Sequence, residues 1–495
     1  MKAHTPLRTL KPGRKVTRGG FERAELALRS ALLQAQWQAH EAGLPVVIVV
    51  SGADAAGKGE VVHRLNEWLD PRGVDTHACW EPAAEDRQHP PFWRFWRDLP
   101  ARGRIGIFFG SWYTGPIVDR AYARLKRGAF EQALDEIRHF ERMLADDGTL
   151  VIKLWYHLTR KQQRARLVAL EQDPKTRWRV LSSDWEHFER YDDFVRVYED
   201  VIARTSTTET PWHLVQASEA GHRELQTGRT VLAALRQELA KPGKARPPKP
   251  AGAGRITRGE SCLEEIDLTS ALGRKEYQRQ LEKHQGRLGR MMWEARQQGT
   301  SVVAVFEGWD ASGKGSAIRR VTAAVDPRLY RTVAVAAPTK EELAHHYLWR
   351  FWRDVPARGQ MVIFDRSWYG RVLVERVEGF AQPGEWRRAY EEINRFESQL
   401  AAAGVVLCKF WIHISPHEQL ARFEHRRDTP HKRHKITEED WRNRAKWNPY
   451  CAAVEDMVAL TNTPKAPWTR VAGEDKRFAR IQILKTICRA LSERL

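Results

Sequence analysis

Cysteine is scarce in this 495-residue chain: Cys79, Cys262, Cys408, Cys451 and Cys488 are its five, and none stands in a CxxC pair. That pattern excludes a zinc ribbon or a disulfide framework as the organising device. No apolar run approaches the roughly 20 residues of a membrane span. The N-terminal stretch carries Lys and Arg but no signal-peptide apolar core, so a cytoplasmic protein is expected. Acidic residues also fall short, 63 against 82 Lys and Arg, which leaves a formal charge of +19. Such a surplus predicts a polyanionic partner: nucleic acid, a membrane surface, or a phosphate-rich small molecule or polymer. A basic surface that serves only solubility is the plainer reading of the same count.

What the chain has in abundance is itself. Trp93-Arg94-Phe95-Trp96-Arg97-Asp98-Leu99-Pro100-Ala101-Arg102-Gly103 returns 256 positions later as Trp349-Arg350-Phe351-Trp352-Arg353-Asp354-Val355-Pro356-Ala357-Arg358-Gly359, with ten of eleven residues identical. The same offset carries Lys58 onto Lys314, Trp112 onto Trp368, Trp155 onto Trp411 and Trp212 onto Trp468. One register held this long means duplication of a whole domain rather than a short solenoid repeat. The expected division is a first domain over 1–240, an exposed Pro/Gly/Lys-rich linker over 241–254, and a second domain over 255–495. Most of the 20 Trp recur at matching positions, as packing residues do. That argues against a nucleic-acid module with exposed stacking platforms.

Each copy opens with a long helical stretch, near 21–43 and 275–299, ending at a glycine suited to a C-cap. A β-branched run follows, Val46–Val50 or Val302–Phe306, without the alternation of a half-solvated strand, so it predicts burial on both faces of a parallel sheet. Further strands are expected at Thr332–Ala336, Met361–Asp365 and Val405–Ile412. Strands alternating with helices predict a three-layer α/β domain.

Gly308-Trp309-Asp310-Ala311-Ser312-Gly313-Lys314-Gly315 fits G-x-x-x-x-G-K between a strand and a helix. Such a loop wraps backbone N–H groups around phosphate oxygens, and Lys314 neutralises them. Gly315 stands where Ser or Thr normally ligates magnesium, and Asp310 offers a substitute oxygen. Met361–Asp365 runs straight into Arg366, which puts Asp365 at the carboxyl edge of the sheet. Asp365 there can share magnesium with Asp310, and Arg366 can clamp phosphate; an Asp-Arg pair capping a strand is the structural alternative. Arg319 and Arg320 follow the loop by one helical turn. The stretch Leu420–Arg427, with Arg426, Arg427, Lys432 and Lys435, reads as a helix and cationic loop able to close over phosphate; a solvated helix face explains such a run equally.

The two copies test one another. The first keeps the P-loop cation and acid as Lys58 and Asp54. It has Phe109-Gly110 in place of Asp365-Arg366, Leu170-Glu171 in place of Arg426-Arg427, and Glu219-Ala220 in place of Asp475-Lys476. Charged groups vanish while the flanking Ser-Trp-Tyr persists. The first copy therefore reads as an inactive scaffold, with Lys58 leaving some phosphate binding open.

Gly308–Gly315, Phe364-Asp365-Arg366-Ser367-Trp368-Tyr369, and Ala466-Pro467-Trp468 with Asp475-Lys476 resemble the polyphosphate kinase 2 family, over essentially both halves of the chain. The tandem form with a degenerate first copy resembles its two-domain class, which uses polyphosphate and AMP. The resemblance implies two tandem P-loop kinase-like α/β domains similar to thymidylate kinase, Mg2+ as cofactor, and transfer of the terminal phosphate of inorganic polyphosphate to a nucleotide. It implies catalytic roles for Asp310, Lys314, Asp365 and Arg366, with Asp310 and Asp365 holding the metal. Phosphate contacts are expected from Gly308, Gly313, Lys314, Gly315, Arg319, Arg320, Arg426, Arg427, Lys432, Lys435 and Lys476, and nucleotide contacts from Arg366, Arg371 and Glu375. AMP is the expected acceptor, with ADP or GDP, or an ATP-dependent kinase reaction, as alternatives. No nucleic-acid or membrane partner is expected, and a homo-oligomer stays open. The chain departs from the family at Gly370, where Asn is common, and at Thr429-Pro430 and His434-Lys435 in the lid.

Overall fold

The computed structural model describes residues 7, 10, 13, 15–79, 81–241, 261–429, 436 and 438–495. The expected linker lies outside these residues except for Lys241. Two compact units are present. The first comprises Met1–Pro82, Arg94–Arg246 and Leu343–His346; the second comprises Ala83–Trp93, Pro247–Glu342 and Tyr347–Leu495. Among the described residues, no helix is long and apolar enough to cross a membrane.

Each unit is built on a five-stranded, wholly parallel sheet. In the first, β1 (Val46–Gly52), β2 (Val74–Ala78), β3 (Ile105–Phe109), β4 (Leu150–His157) and β5 (Trp212–Gln216) take the order β2-β3-β1-β4-β5. In the second, β6 (Val302–Gly308), β7 (Tyr330–Ala334), β8 (Met361–Asp365), β9 (Val406–His413) and β10 (Trp468–Ala472) repeat it as β7-β8-β6-β9-β10. The registers also repeat: Val46 faces Ile105 and Leu150, and Val302 faces Met361 and Val406. The duplication thus extends to hydrogen-bond register.

The central strands β1 and β6 are buried along their whole apolar length, which is why their sequences do not alternate. In the second unit, helices Arg274–Gln298, Lys314–Thr322 and Lys476–Ser492 pack on the sheet through Leu288, Met292, Ile318, Ile483 and Ile487. Helices Pro383–Ala402 and Trp447–Thr461 form a further layer with β9. A fully buried Phe306 or Ile483 contributes about 1.5–3 kcal/mol through removal of apolar surface from water.

The opening helices span Arg18–Glu41 and Arg274–Gln298, and Gly43 and Gly299 follow at φ 62° and 72°, the left-handed geometry of a helix end. The edge strand β7 begins two residues earlier than expected. It starts directly after the turn Pro327–Leu329, so Tyr330 already pairs with Met361. Among the recurring tryptophans, Trp96, Trp112, Trp155, Trp212, Trp352, Trp368, Trp411 and Trp468 are buried core residues, whereas the matched pair Trp37 and Trp293 on the opening helices, and Trp441, are exposed.

Candidate active site

The parallel sheet of the second unit ends, on its carboxyl edge, in the two loops that carry the charged residues. After β6, Gly308 has φ 150°, and a Cβ there would lie 2.5 Å from Ile412 O, so only glycine fits. Ala311 at φ 62° and Gly313 at φ 114° curl the loop onto the helix Lys314–Thr322, which begins immediately. Lys314 Nζ folds back over the loop, donating to Gly308 O at 2.7 Å and Trp309 O at 3.2 Å. Gly315 has open space where a side chain would stand, so packing does not forbid the missing hydroxyl. Gly370 likewise meets nothing closer than 3.8 Å, and no steric demand explains its departure from Asn.

After β8, the chain reverses at Arg366, whose φ is 64°. Left-handed backbone in a non-glycine residue costs about 1–2 kcal/mol. The first unit makes the same reversal at φ 75° with Gly110, which pays no such strain. Arg366 keeps the strained conformation, and its N–H donates to Phe306 O, tying β8's end to the P-loop strand. Its guanidinium lies 3.3 Å from Asp310 Oδ1 and 3.7 Å from Glu439. Burial opposes the charge on Arg366, but Asp310, Glu439, Glu307 and Asp365 outweigh it and hold its pKa above the usual value. The second copy thus bears at this turn a backbone strain that the first copy avoids.

Asp310 is fixed from a second side. Asn443 Nδ2, on the helix Glu438–Ala445, donates to Asp310 Oδ2 at 2.9 Å. Trp309 stacks on Trp447 at 3.8 Å and donates to His413 Nδ1 at 3.0 Å. Burial holds His413 neutral, with a pKa down at about 4, so its nitrogen accepts that bond. Arg422, buried on the helix Pro416–Asp428, donates to Ala311 O, Ser312 O, Gly473 O and Glu474 O, clasping the P-loop to the segment after β10. Glu307, next to last in β6, is a buried carboxylate. Burial raises its pKa, against the lowering effects of Ser367, which donates to it at 2.8 Å, and of Lys314 and Arg366.

Lys476 opens the last helix. Partial desolvation and the cations Arg422, Arg480 and Arg426, against Glu418, lower its pKa to about 8. Arg426 is half-buried; desolvation lowers its pKa, Asp440 and Asp310 oppose that, and Arg422 adds to it. Lys314, Arg366, Arg426 and Lys476 thus act electrostatically on one region with Asp310, Glu307 and Arg422. Other expected contact residues make pairings of their own or lie exposed. Arg320 donates to Tyr277 on the opening helix, Arg427 pairs with its neighbour Asp428 at 3.2 Å, and Arg319 is exposed. Arg371 pairs with Glu375 at 3.2 Å and lies over the Tyr347 ring. Lys432 and Lys435 lie outside the described residues.

Ser-Trp-Tyr turns out to be scaffold. Tyr369 and Trp368 donate to Glu397 at 2.6 and 3.1 Å, and Lys409 donates to Glu397 at 2.7 Å and to Thr461 O at 2.8 Å, all buried. Tyr113, Trp112, Glu141, Lys153 and Thr205 O repeat the arrangement in the first unit. Both copies need it, so it serves folding.

The corresponding loop of the first unit is filled from within. Arg223 is buried against Gly57, where a Cβ would lie 2.5 Å from its guanidinium carbon. Arg223 pairs with Glu60, which Arg166 also holds at 2.5 Å. Asp54 is taken by His187 at 2.8 Å and Lys58 at 3.4 Å. Glu60, Arg223 and His187 replace Ser316, Ala479 and Asn443 of the second copy. Phe109-Gly110 removes the charge at the strand end, and these substitutions occupy the loop itself.

A parallel α/β unit with a phosphate loop, a P-loop lysine and an acid and an arginine at the neighbouring strand end defines a P-loop phosphotransferase, here with the loop of the first copy occupied by its own side chains. The model for polyphosphate kinase 2 matches residues 16–242 and 271–495. The chain belongs to the polyphosphate kinase 2 family. It is 48% identical over 96% of both chains to a protein of Pseudomonas aeruginosa named polyphosphate:AMP phosphotransferase, and 47% identical over 96% of this chain and 95% of the other to one of Pseudomonas syringae with the same name. A Pseudomonas aeruginosa crystal structure, provisionally described as polyphosphate kinase 2, superposes with a TM-score of 0.88 at 46% identity and covers 97% of each chain.

Proposed function

We propose that the second unit transfers the terminal phosphoryl group of inorganic polyphosphate to AMP, giving ADP and a polyphosphate one unit shorter. The observation that carries this is likeness along 96% of the chain, both copies included, to relatives named for that reaction. The charged cluster of Asp310, Lys314 and Arg366, whose arginine the first unit replaces by Gly110, supplies the chemistry.

Lys314 and the P-loop amides hold the terminal phosphoryl group, while Arg366 neutralises charge as it moves. An AMP phosphate oxygen attacks the terminal phosphorus, the P–O bond to the next phosphate breaks, and the shortened chain keeps that electron pair. A phosphate oxygen is largely ionised near neutral pH, its second pKa being about 6, so no strong base is required. Alignment and charge neutralisation carry the rate. Asp310 and Asp365 suit magnesium, a hard cation commonly held by one or two carboxylates plus substrate phosphates and water. Bound there, Mg2+ would offset negative charge on the transferring group. Arg371, held by Glu375 and stacked on Tyr347, serves the acceptor nucleotide.

The test is nucleotide product analysis with magnesium and long-chain polyphosphate. ADP formed from AMP only when polyphosphate is present supports the reading. Product from ADP or GDP alone changes the acceptor, and product from ATP without polyphosphate overturns the donor.

A further inference from the structure

The first unit's P-loop is filled, yet the helix Arg160–Gln172 carries two cations, Lys161 and Arg164, for which no ion pair is found among the described residues. Arg160, Lys161 and Arg164 line an open groove of about 780 Å³ whose floor includes Val168, Ala169 and Phe188. Arg160 pairs with Asp192 at 3.3 Å and lies over the Phe188 ring at 5.6 Å. Lys161 and Arg164 are exposed, and neither has a carboxylate within ion-pair distance among the described residues.

Helix stability does not account for this placement. Arg160 and Lys161 occupy the first turn, which holds no acidic residue, so their charge adds to the positive end of the helix dipole. The matching helix Pro416–Asp428 instead carries Glu418 in its first turn. At the positions of Arg160, Lys161 and Arg164 the second copy has Pro416, His417 and Leu420, and Glu424 stands opposite Val168. The groove's charge is therefore specific to the copy whose phosphate loop is closed.

We propose that this groove is a second binding site for inorganic polyphosphate, separate from the catalytic loop, which retains the donor chain on the first unit. It rests on the reading of polyphosphate as donor. The groove is open and follows a helix about 20 Å long, so it suits a linear polyanion passing along it better than an enclosed nucleotide. Its cations engage phosphate oxygens without reading sequence or base, as point charges do on any phosphate backbone.

The test is calorimetric titration of the full chain with polyphosphate long enough to span that helix, without nucleotide. Wild type is expected to show two sites, Lys314→Ala to keep the groove site, and Lys161→Gln with Arg164→Gln to keep only the catalytic one. The double variant should leave turnover with AMP and a short donor unchanged, and weaken long-chain binding about tenfold. It should also reduce the slope of log affinity against log salt by about 1.5. A single wild-type site unaffected by the double variant overturns the proposal, as does a groove that loses AMP binding rather than polyphosphate. Lys161→Glu with Arg164→Glu, checked by thermal unfolding, gives the larger effect if neutralisation is too mild. A groove site retained in a chain that shows no polyphosphate-dependent turnover would refute the donor assignment alone.

Discussion

Arg366→Gly places in the second unit the residue the first unit carries at the same turn. Three terms bear on stability. Releasing left-handed backbone at φ 64° returns about 1–2 kcal/mol. Glycine's greater freedom in the unfolded chain costs about 0.4–1 kcal/mol. Losing a half-exposed pair with Asp310 at 3.3 Å costs about 0.2–1 kcal/mol. The sum lies near zero, so the melting temperature should move by no more than a few degrees. Turnover should behave oppositely, because an arginine that stabilises charge on a moving phosphoryl group is worth about 10³–10⁵ in rate. The assay pairs ADP formation from AMP and polyphosphate with thermal unfolding of the same preparation. Activity within tenfold of wild type would refute the role assigned to Arg366. Loss of more than about 3 kcal/mol of stability would show instead that the side chain holds the turn together.

Asp365→Asn should cut turnover on the order of 10³-fold while preserving the fold, and near-normal turnover would remove Asp365 from the mechanism. Lys409→Met strands Glu397 in the core and should cost about 3–5 kcal/mol in urea unfolding, as should Lys153→Met for Glu141; a loss under 1 kcal/mol would contradict their burial. Polyphosphate affinity should weaken as pH rises through about 8, because Lys476 then loses its proton, and Lys476→Gln should flatten that profile. The same depressed value makes Lys476 oppose folding when charged. Unfolded chains bind more protons than folded ones between about 8 and the ordinary 10.5, so its contribution to stability rises with pH across that window.

Much of the architecture was legible because it is local. The β-branched runs Val46–Val50 and Val302–Phe306 lie within β1 and β6, and the glycine-rich loop between strand and helix follows from spacing alone. Where the sequence signal was weaker, at the exposed edge strand β7, the boundary moved by two residues. Arg422 carries no sign in the sequence, because the first copy keeps it as Arg166 and the two copies do not differ there. Asn443 carried a readable sign, since the first copy has His187 there. Its meaning needed the contact with Asp310, 133 residues away in the chain.

By itself the sequence determined that the domain is duplicated, that both copies are parallel α/β units with phosphate loops, and that the first has lost Asp365 and Arg366. Repeats, hydrophobic period and loop spacing are properties of neighbouring residues, and a chain states them directly. Only tertiary structure decided that Arg366 bears backbone strain the first copy has shed, and that Asn443 and Arg422 brace the loop. It also decided that Arg223 and Glu60 fill the first copy's phosphate site, and that Arg320 turns toward Tyr277. Those facts depend on which side chains meet after the sheet has brought distant segments to one edge, and on how far burial and neighbouring charge alter each ionisable group.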